Sequence, residues 1–104
     1  MIRVTVVYPN EEGKQFDWDY YLNTHGPLIH QNLGSRGLIK LEVDKGISAP
    51  DPSAPAPYVA IAHLTFNTVE EVHEAFKAVG REVMGDIPNF TDIKPTVQIS
   101  EMVA

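Results

Sequence analysis

Four runs of alternating apolar and polar residues, separated by two stretches with apolar residues at helical spacing, constrain the fold of this chain more than any other feature. Residues Ile2 to Tyr8 set Ile2, Val4, Val6 and Tyr8 on one side and Arg3, Thr5 and Val7 on the other, the period of two that a half-buried strand requires. Pro9-Asn10 ends that run. Beyond a polar loop, Tyr21, His25, Leu28, Ile29, Asn32 and Leu33 recur at helical spacing behind Asp17, a favourable N-cap residue. Pro27 falls inside this first helix without an N–H to donate, so a kink or break is predicted at Gly26-Pro27, with Gly34 as the stop. A second, less regular strand is predicted over Leu38 to Ile47. The stretch SAPDPSAPAP holds four of the eight prolines and reads as a loop, because a strand pattern follows at once. That third strand, Tyr58 to Phe66, places Ala60, Ala62, Leu64 and Phe66 on one face and Val59, Ile61, His63 and Thr65 on the other. Thr68 with Glu71 forms a T-x-x-E capping box for a second helix, whose buried stripe is predicted to be Val69, Val72, Phe76, Val79 and Val83. Lys94 to Val103 alternates as a fourth strand.

The order β-α-β-β-α-β is that of a ferredoxin-like α+β domain, a four-stranded antiparallel sheet with both helices on one face. With 104 residues and 43% hydrophobic composition, residues 1–104 are expected to form one domain with one core. The helices cover only one face of the sheet, and all the strands are read as apolar on both faces. A second copy is the simplest cover, giving a C2 homodimer in which two sheets close into an α+β barrel.

Composition excludes several classes of function. There is no cysteine, hence no disulfide, no thiolate metal site and no cysteine nucleophile, which suits a reducing compartment. No leader pattern or run of about 20 apolar residues occurs, so a cytoplasmic protein without a membrane partner is expected, and the sequon Asn89-Phe90-Thr91 has no consequence. Eight Lys plus Arg against 14 Asp plus Glu give a net charge of −6, and the basic residues are scattered. Phosphate backbones are repelled, so nucleic acid is not an expected partner. No G-x-G-x-x-G, Walker-type loop or G-x-S-x-G elbow is present, so dinucleotide, nucleotide-phosphate and serine-triad readings lack support, and a metal is only weakly indicated, His25 and His30 being five apart without a carboxylate cluster.

The chemistry-bearing residues concentrate in the first helix. Tyr21 and His25 are four apart and share a face turned toward the sheet. Histidine takes or gives a proton near neutrality, and a tyrosine hydroxyl can hold a developing oxyanion. The plainer reading makes both of them core residues with satisfied polar tips. His63, in the middle of an apolar strand, needs a partner for its ring nitrogens, either in the pocket or at a dimer interface. His30 ranks lower, at the next turn, and His73 reads as a solvated surface residue among Glu70, Glu71 and Glu74.

The segment FDWDYYLNTHGPLIHQNLG (16–34) resembles the first-helix signature of the EthD family, of a D-Y-Y-x-x-x-H-x-P-L type. The tail DIPNFTDIKPTVQIS (86–100) is similar to that family's D-I-P-N-F-T turn and final strand. The resemblance spans essentially the whole chain. It implies a ferredoxin-like subunit of a dimeric α+β barrel with a cavity between helices and sheet, in a family linked to ether degradation and often labelled oxidoreductase. Carried over residue by residue, it points to Tyr21 and His25, and to Asn89 and Phe90 in the turn bordering the cavity; Gly26 is expected to widen the entrance. The expectation is a cofactor-independent enzyme of small-molecule catabolism acting on a hydrophobic or aromatic carbonyl compound. His25, Tyr21 and His63 are the catalytic candidates, and Trp18, Leu22, Ile29, Asn89 and Phe90 the substrate-binding ones. Two alternatives stand beside it: a haem-binding or haem-degrading barrel using His25 or His30, and a non-catalytic binding or accessory protein of a monooxygenase pathway.

Overall fold

The computed structural model describes residues 1–104. Strand β1 (Ile2–Pro9) leads into a helical segment made of α1 (Trp18–Tyr20), a π turn (Tyr21–His25) and α2 (Gly26–Leu33). Strands β2 (Lys40–Lys45) and β3 (Tyr58–Phe66), helix α3 (Val69–Gly85) and strand β4 (Thr96–Glu101) follow. All pairings are antiparallel and the strand order is β2-β3-β1-β4. This is the ferredoxin-like α+β fold expected. β2 and β4 are shorter than read, because Leu38, Lys94 and Val103 lie beyond the ladders.

The break predicted at Gly26-Pro27 is resolved without a kinked gap. Gly26 donates its N–H to the Tyr21 carbonyl, five residues back, and the wider π turn absorbs the donor that Pro27 lacks. Asp17 caps the segment as expected, accepting from the Tyr20 N–H at 3.0 Å. Thr68 likewise accepts from the Glu71 N–H at 3.1 Å and opens α3. Glycine is required at Gly46, where an added Cβ would stand 2.2 Å from the Tyr58 carbonyl oxygen across the β2–β3 pairing.

The core lies between sheet and helices, where Val4, Val6, Tyr8, Ala62, Leu64 and Phe66 meet Ile29, Leu33, Val72, Ala75 and Val83. Helix α3 is turned slightly from the predicted stripe: Ala75 and Gly80 are buried, Phe76 and Val79 only half-buried, and Val69 is 36% exposed. The other face of the sheet also departs from expectation. Register places Lys40, Glu42 and Asp44 of β2 and Thr96, Gln98 and Ser100 of β4 there. Only β1 and β3 contribute apolar side chains to it (Val7, Val59, Ile61), because alternation at the edge strands favours polar residues.

Candidate active site

The site forms where the two ends of the helical layer are stitched together. Phe16 pairs with Thr91 in an isolated antiparallel bridge, and the Asp17 N–H donates to the Phe90 carbonyl at 2.8 Å. The Gln15 N–H donates to the Asp92 carboxylate at 2.9 Å, and the Thr91 hydroxyl to the Gln15 carbonyl. These bonds bring the turn Ile87–Asn89 and its neighbour Asp86 against the π turn.

The π turn buries only Tyr21 and His25, their rings 5.1 Å apart. Phe90 closes over both, with its ring 4.6 Å from that of His25 and 5.2 Å from that of Tyr21. Tyr8, Phe16 and Tyr20 complete an aromatic cluster around Phe90. His25 is 2% exposed, and its Nδ1 lies 2.9 Å from Asp86 Oδ2, a residue 61 positions away. Asp86 Oδ1 accepts from the Tyr20 hydroxyl at 2.7 Å and from Asn89 Nδ2 at 2.9 Å. Asp86 was not among the sequence candidates. A lone carboxylate after a helix carries no periodic signal, and only the tertiary contact between the two segments gives it a partner.

The electrostatics follow from this arrangement. Desolvation alone would raise the Asp86 carboxyl, but hydrogen bonds from Asn89, Tyr20 and His25 outweigh it and hold it below the ordinary value. His25 is lowered, because burial disfavours imidazolium more than Asp86 favours it. An ionised Asp86 facing a neutral His25 puts the ring proton on Nδ1, and Nε2 makes no hydrogen bond within the chain. Nε2 is therefore a free base. The Tyr21 hydroxyl is buried without a partner, and burial pushes it up to about 12, so it remains a donor. Both groups line a cavity of about 20 Å³ closed by Val6, Ile29, Phe76 and Met84.

The other candidates scatter around this centre. Ile29 is buried on the cavity wall and Phe90 forms its aromatic lid. Asn89 is exposed and reaches the site only through Asp86. Trp18 is half-buried on the outside of the cluster, against Phe16 and under Lys45. Leu22 is 61% exposed and lines an outer groove with Gly26, Pro27 and His30. His63 is removed from the site: strand alternation places it opposite Thr5 on the far face of the sheet, 3.2 Å from Asp44. Nowhere do three His, Asp or Glu side chains gather as a metal site.

The fold and the buried Tyr-His-Asp arrangement define a ferredoxin-like α+β protein with a small enclosed polar centre between helices and sheet. The chain belongs to the EthD domain family, which it matches over residues 10–94. It is similar to an EthD-like protein from Ralstonia eutropha JMP134, with 38% identity, TM-score 0.91, and coverage of 99% of this chain and 92% of that one. An ethyl tert-butyl ether degradation (EthD) family protein from Bacillus halodurans C-125 matches at 20% identity and TM-score 0.69, covering 99% of both chains. A dimeric ferredoxin-like protein from an uncultured marine organism shares the fold at 11% identity and TM-score 0.60, over 99% of this chain and 94% of that one. No curated protein matches the chain.

Proposed function

We propose that this EthD-family chain is a cofactor-independent enzyme of small-molecule breakdown that removes a proton from a carbon beside a carbonyl. The observation that carries the reading is the buried contact of His25 Nδ1 with Asp86, at 2.9 Å, beside the unpartnered Tyr21 hydroxyl. His25 Nε2 takes the proton, Asp86 stabilises the resulting imidazolium and fixes the ring, and the Tyr21 hydroxyl donates to the developing enolate oxygen. Reprotonation elsewhere, loss of a leaving group, or capture by dioxygen then makes the reaction an isomerisation, an elimination or an oxygenation. The ligand is a small hydrophobic or aromatic molecule, in keeping with the apolar cavity wall and the net charge of −6.

The working unit in this reading is a homodimer. Arg3 Nε, His63 Nδ1 and Thr65 Oγ1 are buried without partners, and all three lie on the sheet face away from the helices, with Arg3 opposite Thr65. A second copy would cover Val7, Val59 and Ile61 on that same face, so His63 becomes an interface residue. No helix is long and apolar enough to cross a membrane, and the cytoplasm is the proposed compartment.

Hydrogen–deuterium exchange at the α-carbons of acetophenone and 2-heptanone in D₂O, followed by proton NMR, tests the chemistry without knowledge of the final product. The protein should accelerate exchange, His25→Ala should slow it by about 10²–10⁴, and Tyr21→Phe by less. A folded His25→Ala variant that exchanges at the parent rate refutes the assignment.

A further inference from the structure

The chamber holding Tyr21 and His25 is about 20 Å³, enough for one water and no organic ligand. Some part of its wall must therefore move. Val6, Ala62 and Leu64 stand on the two central strands, and the Tyr21 ring is wedged among Phe16, Trp18 and Phe90. Met84 is different. It is half-buried in the last turn of α3, unbranched, and carries a flexible thioether.

Met84 and Phe76 also belong to a second space, an open groove of about 220 Å³ between α3 and β4, lined otherwise by Val4, Val72, His73, Val97 and Ile99. Val97 and Ile99 point to the helix side, since they pair with Val6 and Val4, yet they are 42% and 41% exposed. β4 is an edge strand that α3 does not reach. An apolar groove thus abuts the chamber of Tyr21 and His25, with two side chains, Phe76 and Met84, as the shared wall.

We infer that this groove receives the apolar tail of the ligand whose carbonyl meets Tyr21 and His25, and that Met84 is the side chain that swings to join the two spaces. The inference rests on the proton-transfer reading above and names its substrate class: a neutral ketone or related carbonyl compound with a hydrocarbon tail. The groove, at about 220 Å³ against about 20 Å³ for the chamber, supplies the room that a hydrocarbon tail needs. The groove contains no Lys or Arg, so a carboxylate tail would find no counter-charge there. Met84 also borders a cleft of about 430 Å³ past Ile87, but Thr91, Asp92 and Lys94 make that cleft suited to a polar group.

The test is a titration of the full-length protein with acetone, 2-pentanone and 2-heptanone, reading the His25 ring and the methyl signals of Val97 and Ile99 by NMR. Affinity should tighten with chain length, approaching about fourfold per methylene buried. Ile99→Asp, a change at an exposed edge position, should weaken 2-heptanone tenfold or more and leave acetone unaffected. Met84→Ala should raise the on-rate and off-rate of 2-heptanone together. Binding that moves the His25 signals but ignores chain length overturns the groove and leaves the site intact. No response at His25 to any ketone removes the site reading and the groove with it. Tail-dependent shifts at Ile93 in place of Ile99, or dissociation of a dimer by Ile99→Asp, assign the groove another role and overturn the inference.

Discussion

Replacing Asp86 with Asn keeps the shape of the side chain and removes what the site most depends on, two oxygens that only accept. In the parent protein those oxygens take three donors: His25 Nδ1 at 2.9 Å, the Tyr20 hydroxyl at 2.7 Å and Asn89 Nδ2 at 2.9 Å. Asparagine offers one accepting oxygen and one NH₂ group. Its NH₂ must therefore face either Tyr20 and Asn89, which have protons to give, or His25. Two donors against one hold the oxygen at Tyr20 and Asn89 and turn the NH₂ to His25, which makes Nδ1 an acceptor and moves the ring proton to Nε2, the position needed to take a proton from substrate. All three contacts then survive, but to a neutral amide, and the Asp86 side chain is only 12% exposed, so solvent compensates little. Exchanging charged for neutral bonding costs about 1–2 kcal/mol, a fall in melting temperature of roughly 4–16 °C for a domain of this size. Long-range proton–nitrogen spectra of the imidazole report the tautomer directly: proton on Nδ1 in the parent protein, proton on Nε2 in Asp86→Asn. Ketone exchange should drop by up to about 10⁴, the scale on which a mis-set tautomer disables a serine-protease triad. A parent His25 already protonated on Nε2, or an Asp86→Asn variant with unchanged tautomer and exchange rate, would show that Asp86 does not set the ring.

Three further outcomes are expected. Burial lowers His25 from its ordinary value of 6.5, so below about pH 6.5 the unfolded chain binds a proton that the folded chain resists; Asp86, lowered from 3.8, adds a second loss in stronger acid. Urea unfolding should show stability falling from pH 7 to pH 5, and a rise over that interval contradicts the burial of His25. Phe90→Ala removes the centre of the aromatic cluster and should cost about 3–5 kcal/mol in chemical denaturation; a loss under about 1 kcal/mol would mean that the cluster is not packed. Sedimentation should give about 23 kDa, twice the 11.5 kDa chain, and Ile61→Arg on the open sheet face should yield a monomer. A parent protein that sediments as a monomer at micromolar concentration removes the barrel.

The order of elements is legible in the chain alone, because strand and helix periodicities depend only on neighbours two, three or four positions apart. Alternation in β1 and β3 named the core face residue by residue, and the caps Asp17 and Thr68 marked helix starts that the structure keeps. Tyr21 and His25 were visible as a pair for the same local reason, and His63 was visible only as a histidine needing a partner. Which face of the sheet His63 occupies relative to the helices was decided by the sheet register and the side on which the helices pack. The π turn depended on how the chain absorbs the missing donor of Pro27, a choice that spacing alone leaves between a kink and a wider turn. Asp86 belongs entirely to the tertiary structure: its role arises from a contact across 61 residues, made when the Phe16–Thr91 bridge brings two distant segments together. The closed chamber and the groove beside it were equally beyond sequence, since both are set by how far α3 reaches across the sheet, which leaves the edge strand β4 uncovered.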